Sequence, residues 1–210
     1  MIELEGTVGP AVASDGANKP VRLDKSAAVV TTHAHGRFYE AVARGNVYYL
    51  ATGAAAGTAF TGAAGGTPLI GVFNPSGSGK NLSFLGVSLG LTAQATAAGV
   101  VNPEIWAGVS VNPTGTQTNP TSMLTQLAAG SAARGFVNTA MTSSTAVTIV
   151  GAFTSSWWAT AAAGSATSGG FEELGGLVVA QPGVLVALGL RTIPTSVTVS
   201  VGLYWEEIAV

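Results

Sequence analysis

The chain has 210 residues, a net charge of -2, 47% hydrophobic residues and 9% charged residues, where about 25% charged is usual. That length suits one large β domain with or without an extension, but so few charges cannot clothe an ordinary solvated surface, and near-neutrality leaves copies little mutual repulsion. The absence of cysteine excludes disulfides, iron–sulfur clusters and thiolate metal sites, and 10 acids against 8 bases leave no electrostatic footprint for nucleic acid.

In chain order, residues 1 to 35 form the first expected unit, an extended N-terminal arm. Glu3, Glu5, Asp15, Lys19, Arg22, Asp24 and Lys25 lie in it, among Gly6, Gly9-Pro10, Gly16 and Pro20, which break any long periodic element. The acidic start Met-Ile-Glu-Leu-Glu lacks the basic end and apolar stretch of a signal peptide, so a soluble chain made in the cytoplasm is expected. His33 and His35 are two apart, which on a strand turns both rings to one side. A metal site needs a third ligand, so polar or interfacial histidines are the simpler reading.

The body, residues 36 to 210, is expected to be all-β, a β-sandwich or jelly roll. No charge falls between Arg44 and Lys80 or between Arg134 and Glu172. Both stretches are rich in Gly, Ala, Ser and Thr and lack the three- and four-residue apolar spacing of helices. Strands are predicted at Val47–Ala51, Leu69–Phe73, Leu82–Leu91, Ile105–Val111, Thr145–Phe153, Leu177–Ala180, Val184–Leu190 and Ser196–Trp205. The regular turn signals between them suit a sandwich. One short helix is predicted over Ser122–Ala133, with Ser122 as its cap. The links Asn112–Pro120 and Ala159–Gly170 read as loops.

Mean hydropathy is positive, and Leu174 to Leu190 is the most apolar run. Its central Gln181-Pro182-Gly183 marks a turn between two short strands, a hairpin, where a spanning helix needs about 20 apolar residues. No membrane span is expected.

Four patterns invite catalysis. Asn74-Pro75-Ser76-Gly77-Ser78-Gly79-Lys80-Asn81 ends like a phosphate loop, but Asn74 replaces its first glycine, Asn81 its magnesium-binding hydroxyl, and a strand follows it. Gly86-Val87-Ser88-Leu89-Gly90 has the spacing of a nucleophile elbow, yet Ser88 lies inside a strand and both histidines precede it. Glu172-Glu173 and Glu206-Glu207 are adjacent pairs that a strand splits between its faces. Only a cross-pair between the two sites could act on a glycosidic bond. Trp157-Trp158, in a charge-free region read as loop, offers a sugar-stacking platform or an interface anchor; Trp is enriched at the centres of protein contacts.

Three islands carry a family likeness: His35-Gly36-Arg37-Phe38-Tyr39-Glu40-Ala41 through Arg44-Gly45-Asn46-Val47; Phe73-Asn74-Pro75 with Gly77-Ser78-Gly79-Lys80-Asn81-Leu82; and Leu203-Tyr204-Trp205-Glu206-Glu207. They resemble small structural proteins of tailed-bacteriophage virions, and the likeness extends loosely over residues 33 to 210. It implies a capsid decoration or cement protein, or a tail or fibre part, with no enzymatic activity, catalytic residues or cofactor. It further implies partners in the major capsid protein and in copies of the chain itself, a homotrimer first. The candidate interface residues are Trp157, Trp158, Phe38, Tyr39 and Arg37.

Overall fold

A computed structural model describes residues 37–53, 55–56, 68–93, 99–109, 113–124, 130–137, 148–152, 157–159, 169–192 and 198–210. The arm expected over residues 1 to 35, with His33 and His35, lies outside them. The chain divides into two units, Met1–Tyr39 and Glu40–Val210.

A short helix, α1 (Tyr39–Ala43), opens the described chain; no helix is expected there from sequence. Gly45 ends it in the left-handed region, φ 72°. The Asn46 and Gly45 amides donate back to Ala41 and Val42 at 3.1 and 2.9 Å, which is the hydrogen-bond pair of a Schellman stop.

Thirteen strands follow: β1 (Val47–Ala51), β2 (Ala55–Ala56), β3 (Ile70–Phe73), β4 (Lys80–Ala93), β5 (Gly99–Val109), β6 (Gln117–Thr118), β7 (Thr121–Ser122), β8 (Arg134–Val137), β9 (Thr148–Ala152), β10 (Trp157–Ala159), β11 (Gly169–Ala180), β12 (Val184–Thr192) and β13 (Thr198–Ala209). They form two sheets. The first runs β11-β4-β13-β1-β7, with β2 also on β13; the second runs β10-β5-β12-β3-β8-β6, with β9 also on β5. Every pairing is antiparallel. The longer strands pair in nested order: β1 with β13, β3 with β12, β4 with β11, and β5 with β9 and β10. A chain rolled up in this bracketed way over two sheets is a jelly roll, so the expected all-β sandwich is found.

The main core lies between the sheets. Leu82, Phe84, Val87, Leu89, Val201, Leu203 and Trp205 of the first sheet meet Ile70, Val72, Ile105, Val186, Leu188 and Leu190 of the second. Trp205 is packed by Tyr48 and Phe84, with ring centroids at 6.4 and 6.1 Å. The second sheet also buries its other face. Phe73, Trp106, Phe136, Leu185 and Ala187, at the alternate strand positions, form a separate buried cluster.

The Gln181-Pro182-Gly183 turn is present, but the expected hairpin is not. Val184 N donates to Gln181 O at 3.1 Å, and Gly183 has φ 88°. Pro followed by a left-handed Gly is the type II pattern. The turn carries the chain from β11 in the first sheet to β12 in the second, so its flanking strands pair with others. Residues 74–79 likewise carry β3 of the second sheet to β4 of the first.

Asn74 ties these two crossings together. Its side chain is fully buried, and its amide nitrogen donates to Lys80 O at 2.8 Å and to Ala180 O at 2.9 Å. Its backbone N–H donates to Val184 O, and its carbonyl accepts from Gly183 N at 2.7 Å. The phosphate-loop look-alike is therefore a cross-sheet turn followed by a strand.

The predicted helix Ser122–Ala133 fails where it is described. Thr121–Ser122 is β7, and Gly130–Ala133 is irregular. The Ser122 hydroxyl does accept from Leu124 N, at 3.3 Å, but it closes a local turn of the kind short hydroxyl side chains favour. Among the described residues no helix is long and apolar enough to cross a membrane.

Candidate interaction surface

The outer face of the first sheet is shaped by a bulge. On β4, Tyr204 stands opposite Gly86 and Trp205 opposite Phe84, so Leu85 is an extra residue. The bulge shifts the alternation by one. Leu82 and Phe84 point into the core before it, Val87 and Leu89 after it, leaving Ser83, Gly86, Ser88 and Gly90 outward. From β13, Ser200, Gly202, Tyr204 and Glu206 share that face. Tyr49 comes from β1, and Phe171 and Glu173 from β11.

An aromatic row crosses this field of small residues. Tyr49 stacks on Tyr204 with centroids at 6.1 Å, and Phe171 meets Tyr204 edge-on at 5.5 Å. The Phe171 ring lies where a Cβ on Gly86 would stand, and Tyr204 leans over Gly202, so rings fill the gaps the glycines leave. The Ser88 hydroxyl lies 3.4 Å from that of Tyr204. Phe171 remains 57% exposed. Ser88 is in mid-strand, with five further residues of β4 after it, so the strand-to-helix turn of a nucleophile elbow is not found at this serine.

β11 carries its own irregularity opposite the β4 bulge. Glu173 pairs with Gly86 and Val178 with Phe84, leaving residues 174–177 opposite Leu85. Gly175 and Gly176 take φ 58° and 84° there. Leu174 packs towards the core, whereas Leu177 is 87% and Val179 49% exposed.

The glutamate pairs divide between faces as expected. Glu207 turns inward, 2% exposed. It accepts from Ser131 Oγ at 2.7 Å and from Ala132 N at 2.9 and 3.1 Å, clasping the loop that leads into β8. Its charge is the second cause, after burial, that raises the Tyr48 phenol above its ordinary value. The outward pair, Glu173 and Glu206, is separated by β4, roughly 10 Å or more between backbones at two strand spacings. Among the described residues no group of three His, Cys, Asp or Glu is placed to hold a metal ion.

The candidate interface residues fall in two places. Arg37 is exposed, Phe38 half-buried and Tyr39 exposed, and the Arg37 guanidinium sits 5.3 Å over the Phe38 ring. Trp157 and Trp158 belong to β10 and pair with Val101 and Val100 of β5, a strand where a loop is expected. Sequence reasoning misses the row of Tyr49, Tyr204 and Phe171. The alternation of β13 signals an outward Tyr204, but its neighbours follow only from strand pairing. Compared with protein-family models, with curated proteins and with solved structures, the chain matches none.

Proposed function

We propose that this chain is a non-enzymatic structural protein of a tailed-bacteriophage virion, a decoration or cement protein on the capsid surface. It would stabilise the lattice by contacts with the major capsid protein and with copies of itself, as a homotrimer. The observation that carries the reading is the outer face of the first sheet: glycines and serines under an aromatic row, with Glu173 and Glu206 as its charged residues. Such a face has little to keep it in water and ample surface for a protein. By analogy of fold, jelly rolls are a recurrent capsid architecture. The hold would come from repetition, since apolar area is worth about 25 cal/mol per Å² before entropy costs, and symmetric copies multiply the contacts.

Light scattering on the purified chain, with co-sedimentation on shells of the major capsid protein, tests the reading. A small oligomer that occupies shells at a regular ratio is expected, with occupancy lowered by removal of residues 1 to 35. An oligomer indifferent to shells would overturn it. A second reading, a tail- or fibre-associated protein or one that binds host-surface carbohydrate, is favoured by the same aromatic row, since rings stack on sugars. Saturable binding on a glycan array, lost in Tyr204→Ala, would establish it in place of the first.

A further inference from the structure

We infer that the edge of β11 is a self-association strand, which pairs around Leu177–Val179 with the same segment of a second copy about a two-fold axis at Val178. The role given to this contact rests on the reading of the chain as an assembling structural protein; its geometry does not.

β11 ends the first sheet: β4 lies on one side and, among the described residues, no strand lies on the other. An edge of this kind presents unpaired backbone donors and acceptors, and the chemistry that satisfies them is another extended chain. Edges meant to stay single are shortened or guarded with lysine or proline. β11 has neither lysine nor proline, and its irregularity at residues 174–177 confines the regular edge to the stretch from Leu177 to Ala180. Its two glutamates and Phe171 precede the irregularity, while the exposed Leu177 closes it and the exposed Val179 follows.

The segment is complementary to itself. An antiparallel pair centred on Val178 sets Leu177 of each copy opposite Val179 of the other, on one side of the joined sheet. Leu177, at 87% the most exposed apolar residue of the strand, is then covered by Val179 of the other copy. In the same register Glu173 falls opposite residue 183 of the second copy, beyond the end of β11, so like charges do not meet. A cationic or acidic partner strand would gain nothing from this stretch, which holds no charge between Glu173 and the turn at Gln181. So short an edge falls below the about 1,000 Å² of a stand-alone interface, so association rises with concentration and tightens when copies are already grouped. A two-fold contact cannot close a trimer; it joins one oligomer to the next.

The chain contains no cysteine, so introduced thiols report on the register. Under oxidation, a mixture of Leu177→Cys and Val179→Cys chains is expected to form a covalent dimer at least tenfold faster than either variant alone. In light scattering at high concentration, the double variant Leu177→Lys/Val179→Lys is expected to halve the particle mass with an unchanged circular dichroism spectrum, because both sites are exposed. Equal cross-linking in all three samples, or an unchanged mass, overturns the inference. Loss of shell binding while the edge contact persists would count against the proposed function and leave the edge contact standing.

Discussion

The two sheets treat water differently. The first has one face in the core and one outward, and β13 alternates accordingly: Val199, Val201, Leu203 and Trp205 are buried while Ser200, Tyr204 and Glu206 are half-exposed. The second is closed on both faces at its centre: β3 is buried along its whole length, and β12 from Leu185 to Leu190. The primary sequence carries the same difference. β13 reads small-or-polar against large, whereas Val184-Leu185-Val186-Ala187-Leu188 is an unbroken apolar run, the signature of a strand covered on both sides. A sheet sealed twice is scaffold, and the face left outward is where contacts can be made.

Substitutions on the outward faces sharpen the contrast. Trp106→Ala, on the sealed outer face of the second sheet, is expected to cost about 3–5 kcal/mol, and Tyr204→Ala, on the open face of the first, about 1 kcal/mol or less; chemical denaturation measures both. Equal costs would mean that the second sheet is not sealed as described. Glycines give a steric version of the same test. A Cβ on Gly189 would stand inside the Trp106 ring, while one on Gly90 meets nothing within 4 Å. Gly189→Ala should lose about 3 kcal/mol to overpacking, and Gly90→Ala should be neutral or slightly stabilising.

Asn74 lies between the sheets and bonds to strands of both. Asn74→Ala leaves the carbonyls of Lys80 and Ala180 without its amide, and about 2–3 kcal/mol is expected to go with them. The smallest effect lies at Tyr48, on the inner face of the first sheet. Burial first, and the charge of Glu207 second, raise its phenol above the ordinary value of about 10. A raised pKa in the folded state favours the protonated form. Its contribution is therefore fully present below about pH 10 and is lost as pH rises through the folded value. Tyr48→Phe should lose less stability between neutral and strongly alkaline pH than the parent chain, read from thermal melts.

Much of this was legible in the residues, and the failures share a cause. β1 falls where Val-Tyr-Tyr-Leu-Ala predicts it, and the Pro-Gly turn is where its chemistry demands. A type II turn dictates that the chain reverses, however, and not which strand each arm finds. β11 goes to β4 and β12 to β3 and β5, partners from 75 to 118 residues away along the chain by their registers. The upstream half of β11, Gly-Gly-Phe-Glu-Glu, has no apolar alternation because it is an edge with little to bury. Trp157–Ala159 reads as loop for want of flanking pattern, and its strand exists through Gly99–Val101. The aromatic row is an assembly of three strands, invisible until β4 and β13 are side by side.

The nested pairing sets an order on the making of the molecule. The last two strands described, β12 and β13, are neither edges nor covers. β13 fills the gap between β4 and β1, and β12 the gap between β5 and β3. A nascent chain that has reached Ala180 therefore holds the halves of both sheets with nothing to join them, and the long-range contacts that close the body form only after synthesis has passed β13. Slow, all-or-none closure is the price of such a topology. Until that closure the strands stand unpaired, the condition in which a β-rich chain is most open to aggregation.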